Sequence, residues 1–282
     1  MKYDPENIIR KVSNVASLPE VFMKIEETLN DPTSSTHHLG KIVQEDPGLT
    51  ARLLRLVNSA YYSFTAKVET VNQAITVIGT QQLRDLVLAC SVMKAFKNIT
   101  SDLVDMESFW RHSVACGVVA KALATQQKAS NTEHYFVSGL LHDVGRLILF
   151  SQLPDKMGEV VEYAKEEKLL LFKAEQKLLG FNHAYLGGLL LKDWKLSQRL
   201  IESVGYHHAP TNAKSFPIDA AIVHVADLVA NAMRMGSSGE RYVPKLNERA
   251  WESLNLSQEN LEQIMLDLEE KYTDAIRFIL DD

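Results

Sequence analysis

Only two cysteines occur in the 282 residues, Cys90 and Cys116, and both fall inside apolar helical patterns. That scarcity excludes a disulfide-stapled scaffold and reads as two buried free thiols in a reducing cytoplasm. Long hydrophobic runs are also missing. The most apolar stretches, Leu83–Cys90 and Leu186–Leu191, fall far short of the roughly 20 residues that a bilayer-spanning helix needs. The start, Met1-Lys-Tyr-Asp-Pro-Glu6, contains no apolar core of a secretion signal. Charge of one sign is lacking too: 30 Lys and Arg face 36 Asp and Glu, for a net charge of −6. Residues 1–107 hold 11 basic and 13 acidic side chains and residues 108–282 hold 19 and 23, so neither half has a basic tail or stripe. Nucleic-acid binding through phosphate neutralisation is not expected of such a surface. Alternation of period two between turn residues is almost absent, which argues against sheet architectures.

What remains is a helical pattern on a globular composition, 46% hydrophobic and 23% charged. Asp46-Pro47 supplies an N-cap and a first-turn proline ahead of Leu49, Leu53, Leu56, Val57 and Ala60. Thr70-x-x-Gln73 reads as a capping box, and Gly79 ends the helix that it opens. Leu83, Leu86, Val87, Cys90 and Met93 draw the next apolar stripe, and Leu261 to Leu280 draws the last. The expected fold is all-α. The polar stretch Lys97–Asp105 divides it into a helical unit over 1–105 and a second over 106–282. Asp46 is expected to cap its helix, and Asn58-Ser59 to fix the helix end against the second half. Tyr61, Tyr62 and Phe64 read as a core or interface cluster.

Chemistry concentrates in the histidines. Seven of the nine lie from His112 onward, several beside an aspartate or another histidine. His112 sits on a helix whose Ala115, Gly117 and Ala120 permit close packing. His142-Asp143 follows an apolar run, His207-His208 follows an Ile- and Val-bearing helix, and Asp227 interrupts an apolar one. A carboxylate there is costly to bury unless it is paired or bound to a metal. Imidazole with carboxylate suits Zn, Fe, Mn or Ni rather than Ca. Adjacent residues on a helix point about 100° apart, so His142 and Asp143 reach one cluster only near a helix end or from a wide cleft. Set against this, a lone buried histidine is more often a satisfied core residue. His37, His38 and His134 read as solvated surface residues, and His224, one turn before Asp227, as structural.

From Leu18 to Phe96 the chain resembles the HDOD output-domain family of bacterial signalling proteins. The resemblance rests on Leu18-Pro19, Asp31-Pro32, the block from Gln44 to Ala60, Ala74-Ile75 and Ile78-Gly79. It continues through Trp110-x-His112-Ser113, Ser138 to Gly145, Gly180 to Ala184 with Gly187, Trp194, His207-His208 and Ala226-Asp227, covering about residues 15–232. The family is related to the HD superfamily of all-α, metal-dependent phosphohydrolases, which implies a metal core at His112, His142, Asp143 and Asp227. Related cyclic di-GMP phosphodiesterases add three histidines that match His183, His207 and His208, which implies one or two divalent ions with Asp143 bridging. Two departures stand out: Arg146 replaces the lysine after the His-Asp motif, and Ala209-Pro210 replaces a glutamate, with the Gly-Tyr-Pro signature missing. Cyclic di-GMP is therefore not the expected substrate.

Two functions follow from the resemblance. In one the chain is a phosphohydrolase acting on a phosphate ester or nucleotide, with Asp143 at the metals and Arg146 contacting the phosphate. In the other it is a non-catalytic signalling adaptor that binds a protein partner, with the metal structural; HDOD proteins resemble regulatory modules. No stretch reads as a receiver, cyclase or kinase, so the input is expected from a separate protein or a small ligand.

Overall fold

A computed structural model of the chain describes residues 3–13, 18–59, 62, 64, 66–96 and 99–280. From the start these form α1 (Pro5–Ser13), α2 (Glu20–Asn30), α3 (Thr36–Gln44), α4 (Pro47–Val57), α5 (Val71–Ile78) and α6 (Thr80–Phe96). Then come α7 (Met106–Gln126), α8 (Glu133–Leu141), α9 (Val144–Gln152), α10 (Pro154–Glu166), α11 (Leu171–Leu179), α12 (His183–Asp193) and α13 (Gln198–Gly205). A 3₁₀ turn at Pro210–Asn212 precedes α14 (Pro217–Ala232), α15 (Glu248–Ser253), α16 (Gln258–Leu266) and α17 (Leu268–Ile279). No strand occurs among the described residues, and the fold is all-α. None of these helices is long and apolar enough to cross a membrane.

The backbone gathers into two compact units. One joins Met1–Ser17 to Asn98–Ile264, the other Leu18–Lys97 to Met265–Asp282. Each unit thus draws on both ends of the chain instead of dividing at 105/106. The tail stripe is interrupted at Asp267, between α16 and α17.

In the smaller unit, capping sets the helix boundaries. The Asp46 carboxylate accepts from the Leu49 N–H at 3.0 Å, and Pro47 opens α4 as anticipated. Leu49, Leu53, Leu56 and Val57 are all buried. Thr70 and Gln73 form the reciprocal capping box of α5, which stops at Gly79 with φ 91°. Asn58 does something the sequence did not suggest. Its side-chain oxygen accepts from the Val68 N–H at 2.7 Å while its amide donates to the Leu54 and Val68 carbonyls, closing a loop within this unit. Tyr62 and Phe64 stack at 5.6 Å, with Phe64 40% exposed; Ala60 and Tyr61 lie outside the described residues. Both cysteines are free, Cys116 buried and Cys90 half-buried, with desolvation pushing the Cys90 thiol up to about 11.

The larger unit is built around α7, against which α8 and α14 pack. Close approach there depends on missing side chains. A Cβ on Gly139 of α8 would lie 2.6 Å from the Cys116 carbonyl oxygen of α7, and one on Gly145 of α9 2.0 Å from the His183 carbonyl oxygen. The α7–α8 and α9–α12 pairs therefore touch backbone to backbone.

Asp46 also pairs with Lys94 at 2.8 Å, and this bond, with the Leu49 N–H, holds its carboxyl below the usual range. Replacing it, Asp46→Ala, is expected to cost about 1 kcal/mol at neutral pH through the lost cap. A depressed folded pKa stabilises above the unfolded value of about 3.9 and loses that contribution as pH falls through the folded one. Denaturant melts of wild type and variant should therefore differ at pH 7 and converge in acid. Equal stability at neutral pH would refute the capping role.

Candidate metal centre

Five separate stretches of the larger unit deliver the expected residues to one place. His112 comes from α7, and His142-Asp143 occupies the junction where α8 ends and α9 begins, the helix-end position that lets neighbours share a target. His183 opens α12, fixed there by the Asn182 carboxamide oxygen, which accepts from the Tyr185 N–H at 3.0 Å. His207 and His208 lie between α13 and the 3₁₀ turn, and Asp227 projects from α14. All are buried except His208, which is half-buried.

The side chains form two groups that share a middle. His112, His142 and Asp227 make one, with Asp227 Oδ1 at 3.2 Å from His112 Nε2 and 3.6 Å from His142 Nε2. His183, His207 and His208 make the other, with His208 Nε2 at 3.0 Å from His183 Nε2 and 3.1 Å from His207 Nε2. Asp143 lies between them. Its Oδ1 is 2.9 Å from His183 Nε2 and its Oδ2 is 3.2 Å from His142 Nε2.

The far side of each ring explains why the Nε2 atoms converge. His142 Nδ1 lies 2.6 Å from the Gly139 carbonyl, His207 Nδ1 2.7 Å from the Val204 carbonyl, and His183 Nδ1 2.6 Å from Glu175 Oε2. These oxygens only accept, so each Nδ1 carries a proton and each Nε2 is turned inward, where a neutral ring has its lone pair. The Arg146 Nε contact to His183 Nδ1 at 3.2 Å cannot then be a hydrogen bond, because that nitrogen already donates to the closer carboxylate. Phe172 stacks on His208 at 4.0 Å, and Asn231 donates to Asp227 Oδ1 at 2.7 Å. Such support from outside is how imidazole and carboxylate ligands are aimed.

The electrostatics are divided. Despite burial, Asp143 raises His142 well above the ordinary histidine range, and Glu175 with Asp143 raises His183. Both shifts favour a second proton on these rings until a cation replaces it. Burial pushes Asp143 up, but Arg146, His142 and His183 overcome it and hold the carboxyl well below the usual range. Burial opposes charge at Asp227 too, yet the neighbouring His112 and His142 hold its carboxyl well below the usual range. His207 is pushed down to about 3 by burial and by His142 and His183, so it is neutral at pH 7. His208 follows it for the same reasons.

These residues fit a metal. His112 Nε2, His142 Nε2 and Asp143 Oδ1 are buried without a hydrogen-bond partner, although each has an opposite group within about 3 Å; the contacts lack hydrogen-bonding alignment. The Nε2 atoms of His183 and His207 both face His208 Nε2 at 3.0–3.1 Å. A single proton on His208 can serve only one of the two contacts, so a cation among them would relieve the rest. Nitrogen and oxygen donors of this kind suit divalent transition ions.

Arg146 is placed differently from a free phosphate-contacting cation. It is fully buried and donates to the Ser238 hydroxyl at 2.6 Å and the Ser238 carbonyl at 3.2 Å. Asp143, Glu175 and Glu240 lie around it at 3.5, 3.8 and 3.9 Å. The loop it holds is tight: a Cβ on Gly236 would lie 2.4 Å from the His112 nitrogen. Glu240 also accepts from the Leu171 N–H at 2.7 Å. Sequence reasoning passed over Glu175, Phe172, Asn231, Ser238 and Glu240; an isolated carboxylate at the apolar face of α11 was the one available signal for Glu175. His134 needs correction. It is buried beside Ser138 and 3.8 Å from Asp219, because α8 is enclosed on every side. His37 and His38 are exposed as expected, and His224 is structural, its Nδ1 donating to the His207 carbonyl at 2.8 Å.

Known proteins share this arrangement of chain. The HDOD domain family matches residues 15–210, and the chain belongs to that family. It is 25% identical to a crystallised HDOD domain protein of unknown function from Geobacter sulfurreducens, with a TM-score of 0.78 and 98% of each chain covered. A provisionally assigned phosphohydrolase from Shewanella amazonensis is similar in fold, with 23% identity, a TM-score of 0.76 and coverage of 96% of this chain and 97% of that one. An uncharacterized protein of Treponema pallidum is 22% identical over 204 residues, 72% of this chain; the match spans 39% of that relative's length.

Glu175 is the support most easily tested. Burial disfavours its charge, yet His183 and Arg146 keep it ionised. Glu175→Ala leaves Arg146 with less countercharge and His183 without its acceptor, and is expected to cost about 3 kcal/mol, as removing one partner of a buried ion pair does. Glu175→Gln, which keeps the shape and an acceptor, should cost less. Denaturant melts that rank the alanine variant level with wild type would contradict this.

Proposed function

We propose that this chain is a cytoplasmic bacterial signalling protein whose His/Asp cluster holds one or two divalent transition ions and hydrolyses a phosphate ester there. The supporting observation is the two donor groups with the oxygens of Asp143 facing one each. His112, His142 and Asp227 would hold one ion and His183, His207 and His208 the other, with Asp143 common to both. Bound ions of this kind supply Lewis acidity toward a phosphoryl oxygen and lower the pKa of water. The chain's own part is to fix the Nε2 lone pairs through protonated Nδ1 atoms, to keep Asp143 and Asp227 ionised, and to exclude bulk water by burial.

One observation favours a second reading, a non-catalytic adaptor with a structural metal and a protein partner. The Arg146 guanidinium is already engaged by Ser238 and three carboxylates, so contact with a phosphate would require it to leave them.

Protein purified without chelator should contain one or two transition ions per chain, and Asp143→Ala should lose more metal than any single histidine variant. Elemental analysis without stoichiometric metal, together with a melting temperature indifferent to added Mn, Fe, Ni or Zn, would reject the centre. If it turns over, Mn- or Fe-loaded protein should hydrolyse a phosphomonoester or phosphodiester other than cyclic di-GMP, and His142→Ala should abolish the rate. Metal-loaded protein inert toward a broad panel of nucleotides and phosphate esters would select the adaptor.

A further inference from the structure

Outside the histidine cluster lies a cavity of about 470 Å³ that shares His208 with it. Thr211, Lys245, Asn247, Glu248 and Arg249 also line this cavity. Its volume falls within the range of small-molecule sites. Two cations against one carboxylate give it a positive balance, in a chain whose net charge is −6. Lys245 and Arg249 are exposed, and neither makes an ion pair among the described residues.

The backbone between the two cations is tied to the histidine cluster. His224 donates from Nδ1 to the His207 carbonyl at 2.8 Å and accepts at Nε2 from the Asn247 N–H at 3.0 Å. One neutral ring thus ties the segment bearing Lys245 and Arg249 to a residue of the second histidine group. Asn247 in turn accepts from the Ala250 N–H at 3.1 Å, which fixes the backbone leading to Arg249.

We infer that this cavity receives a phosphate group, with Lys245 and Arg249 recognising its charge and Thr211 offering a hydroxyl. A guanidinium fork paired with an ammonium suits tetrahedral oxyanions. That the bound phosphate belongs to an ester destined for the metals rests on the reading above; the recognition of phosphate by this cavity does not.

Inorganic phosphate titrated by calorimetry into the full chain tests it, once as purified and once after chelator treatment. Lys245→Ala with Arg249→Ala should weaken binding by about tenfold, the loss expected when charge-assisted hydrogen bonds go, and Glu248→Gln should strengthen it. Lys245→Arg should retain it. All of these positions are exposed, so folding is not in question. Wild-type protein without saturable phosphate binding, or a double variant that binds as wild type does, overturns the inference. Metal content measured on the same samples judges the metal centre separately: phosphate bound to protein that never holds metal keeps the cavity and rejects the centre.

Discussion

The larger unit brings histidine and aspartate side chains together so that not all of their inward-facing atoms find a hydrogen-bond partner. The Nε2 atoms of His183, His207 and His208 meet at hydrogen-bond distance, and the opposite nitrogens of His183 and His207 are engaged by fixed acceptors. Flipping of His207 is opposed by the Val204 carbonyl and flipping of His183 by Glu175, while Phe172 stacks on His208. Folding therefore spends stability to hold donors in an arrangement with no internal satisfaction. Such concentrations of unmet polar groups mark functional sites because packing alone gives no reason to assemble them.

Around this core the supporting residues form a second level. Glu175 faces both His183 and Arg146, and Arg146 in turn faces Asp143 and holds the Ser238 loop. Charge alternates outward from the centre, from the Asp143 carboxylate to the Arg146 cation to the Glu175 and Glu240 carboxylates. A perturbation at Glu240 reaches Asp143 through one guanidinium.

How much of this was legible in the sequence differs by level. Helical period, the Asp46 cap and the Thr70–Gln73 box depend on local backbone chemistry, and they appear where the pattern put them. His112, His142, Asp143, His207, His208 and Asp227 stood out because their sequence neighbours are distinctive, whereas His183 entered only through the family resemblance. Glu175, Asn231 and Ser238 did not stand out, since a glutamate on an amphipathic helix looks the same whether it faces water or a histidine. His134 misled for the converse reason: its polar sequence neighbours gave no sign that α8 is covered on all sides. The partition into units that each combine an early and a late segment is likewise a property of tertiary contact, invisible to local composition.

The close approach at Gly145 has a bearing on which ions the protein could accept. Because the start of α9 meets the start of α12 main chain to main chain, the interval between Asp143 and His183 works as a fixed gauge. Helices separated by interdigitated side chains can drift by fractions of an ångström as rotamers adjust; two backbones already in contact cannot move closer. An ion of different radius would have to be met by rotation of the imidazole and carboxylate groups alone. Selectivity by size would then reside in side-chain torsions, with the scaffold acting as the incompressible reference against which they are set.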